Sequence, residues 1–238
     1  VPQPSYVSYM PCVTLADGVP VVIQLEEKDQ FRLTPEKLLE KITDKTKILV
    51  LPFPNNPTGA IMEREDLEKI VEIVLEKDLF VVSDEIYSEL TYGDEPHVTI
   101  ASFPGMKELT VLINGFSKAY AMTGWRLGYA AAPAAILEQM LKIHQYAIMC
   151  APTTSQYAAV SALKNGDPDV AMMRESYNQR RRFLLHAFAE MGIECFEPKG
   201  AFYTFPNIKR FGMTSEEFAT RLLQEEKVAV VPGTAFGG

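Results

Sequence analysis

Cysteine, histidine and tryptophan are all scarce in this chain: three, three and one among 238 residues. Cys12, Cys150 and Cys195 are odd in number and far apart. Neither a disulfide framework nor a cysteine-based zinc motif is therefore expected, and a reducing cytoplasm is the compartment that suits them. Taken singly, each reads as a small buried hydrophobe. His97, His144 and His186 are scattered too, which leaves no pattern for a metal. No apolar run approaches the roughly 20 residues of a membrane span, and no charged start followed by an apolar core marks a signal peptide. Positive charge is in deficit: 23 Lys and Arg against 31 Asp and Glu give −8, the wrong sign for a nucleic-acid partner. Repeats, low-complexity tracts and charge blocks are missing as well. So is an initial methionine: the chain opens VPQPSY and stops at VVPGTAFGG, just after an apolar run. Both ends read as cuts through a longer protein.

What remains is globular in composition, 47% hydrophobic and 23% charged, and long enough for one large domain or two smaller ones with a sizeable core. Strand and helix patterns alternate. KILVLPFP (47–54) is a short apolar run ended by prolines, and NNPTG after it makes a turn. In REDLEKIVEIVLEKD (64–78), Leu67, Ile70, Val71, Val74 and Leu75 fall on one helical face, with acidic residues leading as the macrodipole prefers. LFVVSDEIY gives a second strand ending at Asp84, TVLING (110–115) a third, and WRLGYAAAP (125–133) a fourth. Near-continuous apolar strands separated by helices predict a parallel or mixed sheet covered on both faces. The spacing further predicts a helix over 136–148 and a long one over 167–192, capped by Asp167 with Pro168 at N1 and closed by Gly192. GAFYTFPNI then reads as a strand, a helix begins near Ser215, and VAVVPG reads as another strand. This change of character divides the chain near residue 173, giving a large domain over 1–173 and a small α+β domain over 174–238.

In such sheets ligands bind beyond the carboxyl ends of the strands. Asn55, Asn56, Asp84 and Lys118 all lie just after predicted strand ends. The stretch GFSKAYAMTGWRLGY places Lys118 just past an apolar run and Arg126 eight residues later, among small and apolar neighbours. A buried cation needs a partner or a job. A lysine in a semi-buried site loses its proton more readily by desolvation and can hold an electrophilic aldehyde as a Schiff base. A phosphorylated pyridine cofactor needs more. Arg126 offers a two-pronged donor for the phosphate, and Asp84 a carboxylate for the ring nitrogen. Tyr87 and Asn56 offer donors for the phenolic oxygen, and Tyr6 an aromatic face for the ring. Each residue also has a plain reading. Asp84 could cap a helix, NNPTG could be only a turn, Tyr6 and Tyr87 could be core-edge tyrosines, and Arg126 could pair with a surface carboxylate. Their joint appearance, in order and on strand ends, favours the site.

On these motifs the chain resembles the class I/II pyridoxal-phosphate-dependent aminotransferases of fold type I. GFSKAYAMTGWRLG matches that family's lysine-attachment pattern, PNNPTG its Asn-Pro-Thr-Gly turn, and SDEIY its Asp-x-x-Tyr step. PSYVSY matches its Pro-x-aromatic opening, and KGAFYTFP and VAVVPGTAFG its small-domain strands. The resemblance covers essentially the whole chain. It implies an α/β fold and a pyridoxal 5′-phosphate cofactor held as an aldimine on Lys118, which then serves as general base and acid. It implies Asp84 on the pyridinium proton, Tyr87 and Asn56 on the phenolic oxygen, and Asn56 also on the substrate carboxylate. Arg126 would bind the phosphate and Tyr6 would stack on the ring, with Gly124 and Gly128 easing close packing. The implied activity is ping-pong transfer of an amino group from an L-amino acid to a 2-oxo acid, in a protein that is a homodimer when intact, with neither nucleic acid nor membrane as partner.

Many relatives carry a phosphate-binding serine three residues before the lysine, where this chain has Gly115. The family's phosphate loop and a partner-subunit tyrosine would lie before Val1, and the arginine that clamps the substrate carboxylate after Gly238. Two rivals use the same fold: a pyridoxal-phosphate C–S lyase or related enzyme, and an aminotransferase-like ligand sensor within a transcription regulator.

Overall fold

The structure is a computed structural model that describes residues 1–93 and 95–237; Gly238, the last residue of the predicted small domain, lies outside them. A four-stranded sheet organises the chain. Strands β3 (Ile48–Leu51), β4 (Phe80–Asp84) and β5 (Thr110–Gly115) are parallel neighbours in that order, and β6 (Gly128–Ala131) adds antiparallel to β5. A separate parallel pair, β1 (Pro2–Gln3) and β2 (Ile23–Gln24), anchors the amino-terminal segment.

Two parallel neighbours need a crossover between them, and α3 (Arg64–Glu76) supplies it between β3 and β4. Its start is fixed by Asp66, whose Oδ2 accepts from the Glu63 backbone N–H at 3.0 Å. Arg32 clamps the same turn, donating to Asp66 at 2.9 Å and Glu63 at 2.6 Å. The helix buries Leu67, Ile70, Val71, Ile73 and Val74. Leu75, which the sequence places on that stripe, is 43% exposed, and Ile73 takes its place. Against α3 pack Leu49, Leu51 and Val81 of the sheet, with Leu25, Leu33 and Leu38 of α2 (Pro35–Leu39) and its approach, forming the principal core. Each such side chain withdrawn from water is worth about 1.5–3 kcal/mol, so this layer holds the strand ends in place.

Beyond the sheet come α4 (Ala134–Ala147), α5 (Thr153–Asn165), α6 (Asp167–Glu190) and α7 (Ser215–Glu226). The sequence reading did not separate α5. α6 begins at Asp167 itself, with Gly166 at the N-cap and no side-chain cap, and runs unbroken across residue 173. The two strands expected after it are not strands. Around GAFYTFPNI only isolated bridges form, Thr91 with Gly200 and Cys195 with Pro206, and residues 228–232 are irregular, with Val231 63% exposed. A strand exists only through a ladder partner, and among the described residues these two segments make no ladder beyond those single bridges. Cys12 and Cys150 are exposed rather than buried, and Cys195 is half-buried. Among the described residues no helix is long and apolar enough to cross a membrane.

Candidate active site

The site assembles from four chain segments that meet where β3, β4 and β5 end. β4 delivers Asp84, part-buried, whose Oδ2 accepts from Tyr9 Oη at 2.8 Å and Oδ1 from the Ile86 N–H at 3.2 Å. The helix-capping alternative is not borne out, because no helix begins here and Oδ1 closes a turn instead. Burial pushes the Asp84 carboxyl above the usual carboxylate range, against the pull of Tyr9 and the Ile86 amide. Strand alternation sends the adjacent Glu85 the other way, into the core. There its carboxylate accepts from Ser83 at 2.8 Å and Thr99 at 2.7 Å and pairs with His97 Nε2 at 2.8 Å. Glu85 is fully satisfied. Asp84 is a part-buried carboxylate with no basic side chain in salt-bridge range among the described residues.

Three residues past β5, Lys118 sits in a turn closed by Ala121 N–H to Lys118 O and Met122 N–H to Phe116 O. Its Nζ lies over two aromatic faces, 5.9 Å from the Tyr87 ring centroid and 5.5 Å from that of Phe202. Among the described residues it too has no acidic partner within 4.0 Å. Gly115 precedes it opposite Gly128 in the ladder, and a Cβ on Gly115 would meet Gly128 Cα at 3.0 Å. A serine there, as many relatives carry, would need the facing strand to give by a few tenths of an ångström. Gly128 is tight, as expected from the sequence. Gly124 is not, because a Cβ there would meet open space.

After β3 the chain turns through Pro52–Gly59. Asn55, wholly buried, knits the turn: its Oδ1 accepts from Thr58 Oγ1 at 2.9 Å and Thr58 N–H at 3.2 Å, and its Nδ2 donates to Pro4 O at 3.3 Å. The neighbouring Asn56 is left with a buried Oδ1 that has no partner among the described residues. Gly59, at φ +73, accepts from both Lys199 N–H and Gly200 N–H at 2.9 Å. A Cβ on Gly59 would sit 2.3 Å from Pro198 Cβ and 2.8 Å from Gly200 O. This contact docks the segment that carries Phe202 and Tyr203.

Tyr87 is 5% exposed, and its hydroxyl lies 2.6 Å from that of Tyr203. Burial raises its pKa, and burial followed by the Asp84 charge raises that of Tyr9. Tyr6 is half-exposed, edge-on to Tyr9 with centroids 5.8 Å apart. The structure therefore brings Asp84, Tyr87, Lys118 and Tyr6 into one aromatic-walled cluster, with Asn56 on the adjoining turn. Arg126 stands apart from those contacts. It is exposed at φ 54, donates Nη1–H to Thr123 O at 2.7 Å, and lines a surface cavity of about 410 Å³ with Trp125, Thr154 and Ser155. Sequence reasoning missed three members: Tyr9, Phe202 and Tyr203. Their signals were present as a tyrosine three residues after Tyr6 in PSYVSY and as the aromatic pair in GAFYTFP.

The model of the family described as Aminotransferase class I and II matches residues 1–238. The chain belongs to the class I and II aminotransferases. It is 48% identical to the aspartate aminotransferase of Pyrococcus abyssi and 45% identical to aromatic-amino-acid aminotransferase 2 of Thermococcus litoralis, each match taking in 100% of this chain. It superposes on the aromatic aminotransferase of Pyrococcus horikoshii with a TM-score of 0.96 at 48% identity, covering 100% of this chain and 64% of that one. The chain spans 61% of the length of the two curated relatives. Its α/β architecture is the fold type I arrangement of these aminotransferases.

Proposed function

We propose that the protein is a pyridoxal-phosphate-dependent aminotransferase that moves an amino group from an L-amino acid to a 2-oxo acid. The observation that carries this reading is a separated pair of charges without ionic partners among the described residues: the Lys118 amine over two aromatic faces, and the part-buried Asp84 carboxylate at the neighbouring strand end. A part-buried carboxylate without a cationic partner is costly, and a cationic pyridine ring fits that need; Asn56, whose Nδ2 can donate to a ring substituent, stands on the adjoining turn.

When bound, pyridoxal 5′-phosphate supplies an aldehyde and an electron-withdrawing ring that acidifies the Cα–H of an amino acid. In our assignment Lys118 Nζ would hold the aldehyde carbon and, once displaced by the incoming amino group, would take and return the Cα proton. Asp84, oriented by Tyr9, would keep the ring nitrogen protonated. Tyr87 and Asn56 would hydrogen-bond the phenolic oxygen, Asn56 would also take the substrate carboxylate, Tyr6 would cover the ring face, and Arg126 would hold the phosphate. Because one group is carried between two substrates, the kinetics are ping-pong. We assign the protein to the cytoplasm and to a homodimer, and keep the division into large and small domains near residue 173. The relatives carry the names of aminotransferases acting on aspartate and on aromatic amino acids, which supports transamination over elimination or ligand sensing and sets the first substrates to try.

The test is spectroscopic. The cofactor-loaded protein is titrated with aspartate, aromatic amino acids and others in turn. A visible band that bleaches with one amino acid and returns with a 2-oxo acid is the expected result. A band that persists through every amino acid contradicts the transaminase reading.

A further inference from the structure

The Tyr87–Tyr203 pair carries more than packing. Two hydroxyls 2.6 Å apart share one hydrogen bond, and each phenol has a single proton to donate. On the reading above, Tyr87 gives its proton to the phenolic oxygen of the cofactor. It cannot then also donate to Tyr203, so the direction of the pair is fixed by proton count. We propose that Tyr203 is a positioning residue for the reaction: its hydroxyl donates to Tyr87 Oη, commits the Tyr87 proton to the cofactor and makes it a stronger donor. The inference rests on the assignment of Lys118 and Tyr87 to the cofactor.

The backbone around Tyr203 is built to aim it. Lys199 and Gly200 are held by Gly59 O, the Tyr92 N–H donates to Lys199 O at 2.9 Å, and the Ala201 N–H donates to Leu90 O at 2.8 Å. Ala201 is wholly buried at φ 57, a left-handed conformation that a residue with a Cβ keeps only where its surroundings enforce it. Immediately after it, Phe202 packs edge-on to Tyr87 with centroids 5.4 Å apart and Tyr203 lies at 5.7 Å. The titratable groups facing Tyr87 are Asp84, Tyr6, Tyr203 and, over its ring, Lys118. Of these only Tyr203 touches its hydroxyl within the chain. A donor chain of this kind polarises each successive hydroxyl. It also couples the 199–203 segment to the chemistry, although Tyr203 itself reaches only Tyr87.

The experiment is a pH titration of the visible band of the pyridoxal-phosphate-loaded protein in four forms: wild type, Tyr203→Phe, Tyr87→Phe and the double variant. A hydrogen-bond donor on the phenolic oxygen makes it a poorer base, so weakening that donor moves the midpoint up. We expect Tyr203→Phe to raise the proton affinity of the chromophore about threefold to tenfold, the range for one hydrogen bond. We expect Tyr87→Phe to raise it at least as far, and the double variant to match Tyr87→Phe alone. An unmoved midpoint in Tyr203→Phe overturns the proposal, as does a Tyr203→Phe effect that persists undiminished in the Tyr87→Phe background. If the single Tyr203→Phe variant does not fold, the double variant carries the test, and any difference between its midpoint and that of Tyr87→Phe overturns the proposal. Absence of the visible band from the wild type would overturn the assignment of Lys118 and this inference with it. A normal wild-type band with an unmoved variant overturns this inference alone.

Discussion

Removing one hydroxyl, by Tyr9→Phe, tests whether Asp84 is held as a part-buried anion. The ring stays, so the edge-on contact with Tyr6 at 5.8 Å is kept. What is lost is the 2.8 Å bond from Tyr9 Oη to Asp84 Oδ2, leaving the Ile86 N–H at 3.2 Å as donor to the other oxygen. A hydrogen bond to an ionised group contributes about 1.5–3 kcal/mol, and one to a neutral carboxyl about 0.5–1.5 kcal/mol. Burial already holds the Asp84 pKa above its unfolded value. Between those two values the native state binds the extra proton, so stability falls as pH rises through that window. Tyr9→Phe raises the native pKa further and stretches the window upward. In the cofactor-free protein the stability gap between wild type and variant should therefore be about 1.5–3 kcal/mol at neutral pH. It should narrow toward about 0.5–1.5 kcal/mol below the unfolded carboxylate pKa. Urea unfolding curves for both proteins across that pH range measure it. A gap that is independent of pH, or absent at neutral pH, would refute the view of Asp84 as an ionised, Tyr9-supported carboxylate.

Asp84→Asn should make the cofactor-free protein more stable at neutral pH, because the native state no longer buries a charge whose pKa is raised by burial. It should also lower turnover about a hundredfold to a thousandfold, as expected when a preorganised electrostatic group is lost; thermal unfolding and steady-state rates on one preparation show both. Gly59→Ala must place a Cβ at φ +73, 2.3 Å from Pro198 Cβ. Left-handed strain of about 1–2 kcal/mol and overpacking of about 1–3 kcal/mol predict a loss of about 2–5 kcal/mol in denaturant unfolding, with cofactor affinity falling as the 199–203 segment is displaced. A loss below about 0.5 kcal/mol would mean that the turn and that segment are not locked together.

The parts of this molecule that repeat locally were legible in its sequence. β3, β4 and β5 are apolar runs with abrupt ends, and α3 has a 3.6-residue stripe that departs from the sequence reading at Leu75, which is exposed, and Ile73, which is buried in its place. The strand ends followed, and with them Asp84 and Lys118. The expected strands near 202 and 230 were not borne out, because β propensity describes a residue's readiness to pair and not the presence of a partner. The site's supporting contacts were illegible for another reason. Tyr9 meets Asp84 across 75 positions and Tyr203 meets Tyr87 across 116, and no local pattern announces such pairs. The two asparagines of PNNPTG look alike in sequence. Only the fold shows that Asn55 spends its amide on Thr58 and Pro4, while Asn56 keeps a free oxygen.

The central claim is that Lys118 is the residue that holds the cofactor. Borohydride reduction of the protein with bound pyridoxal phosphate, followed by peptide mass spectrometry, tests it most directly. The account predicts a single phosphopyridoxyl group on the peptide containing Lys118, and none in Lys118→Ala. A label on another lysine, or unchanged covalent labelling of the variant, would contradict it.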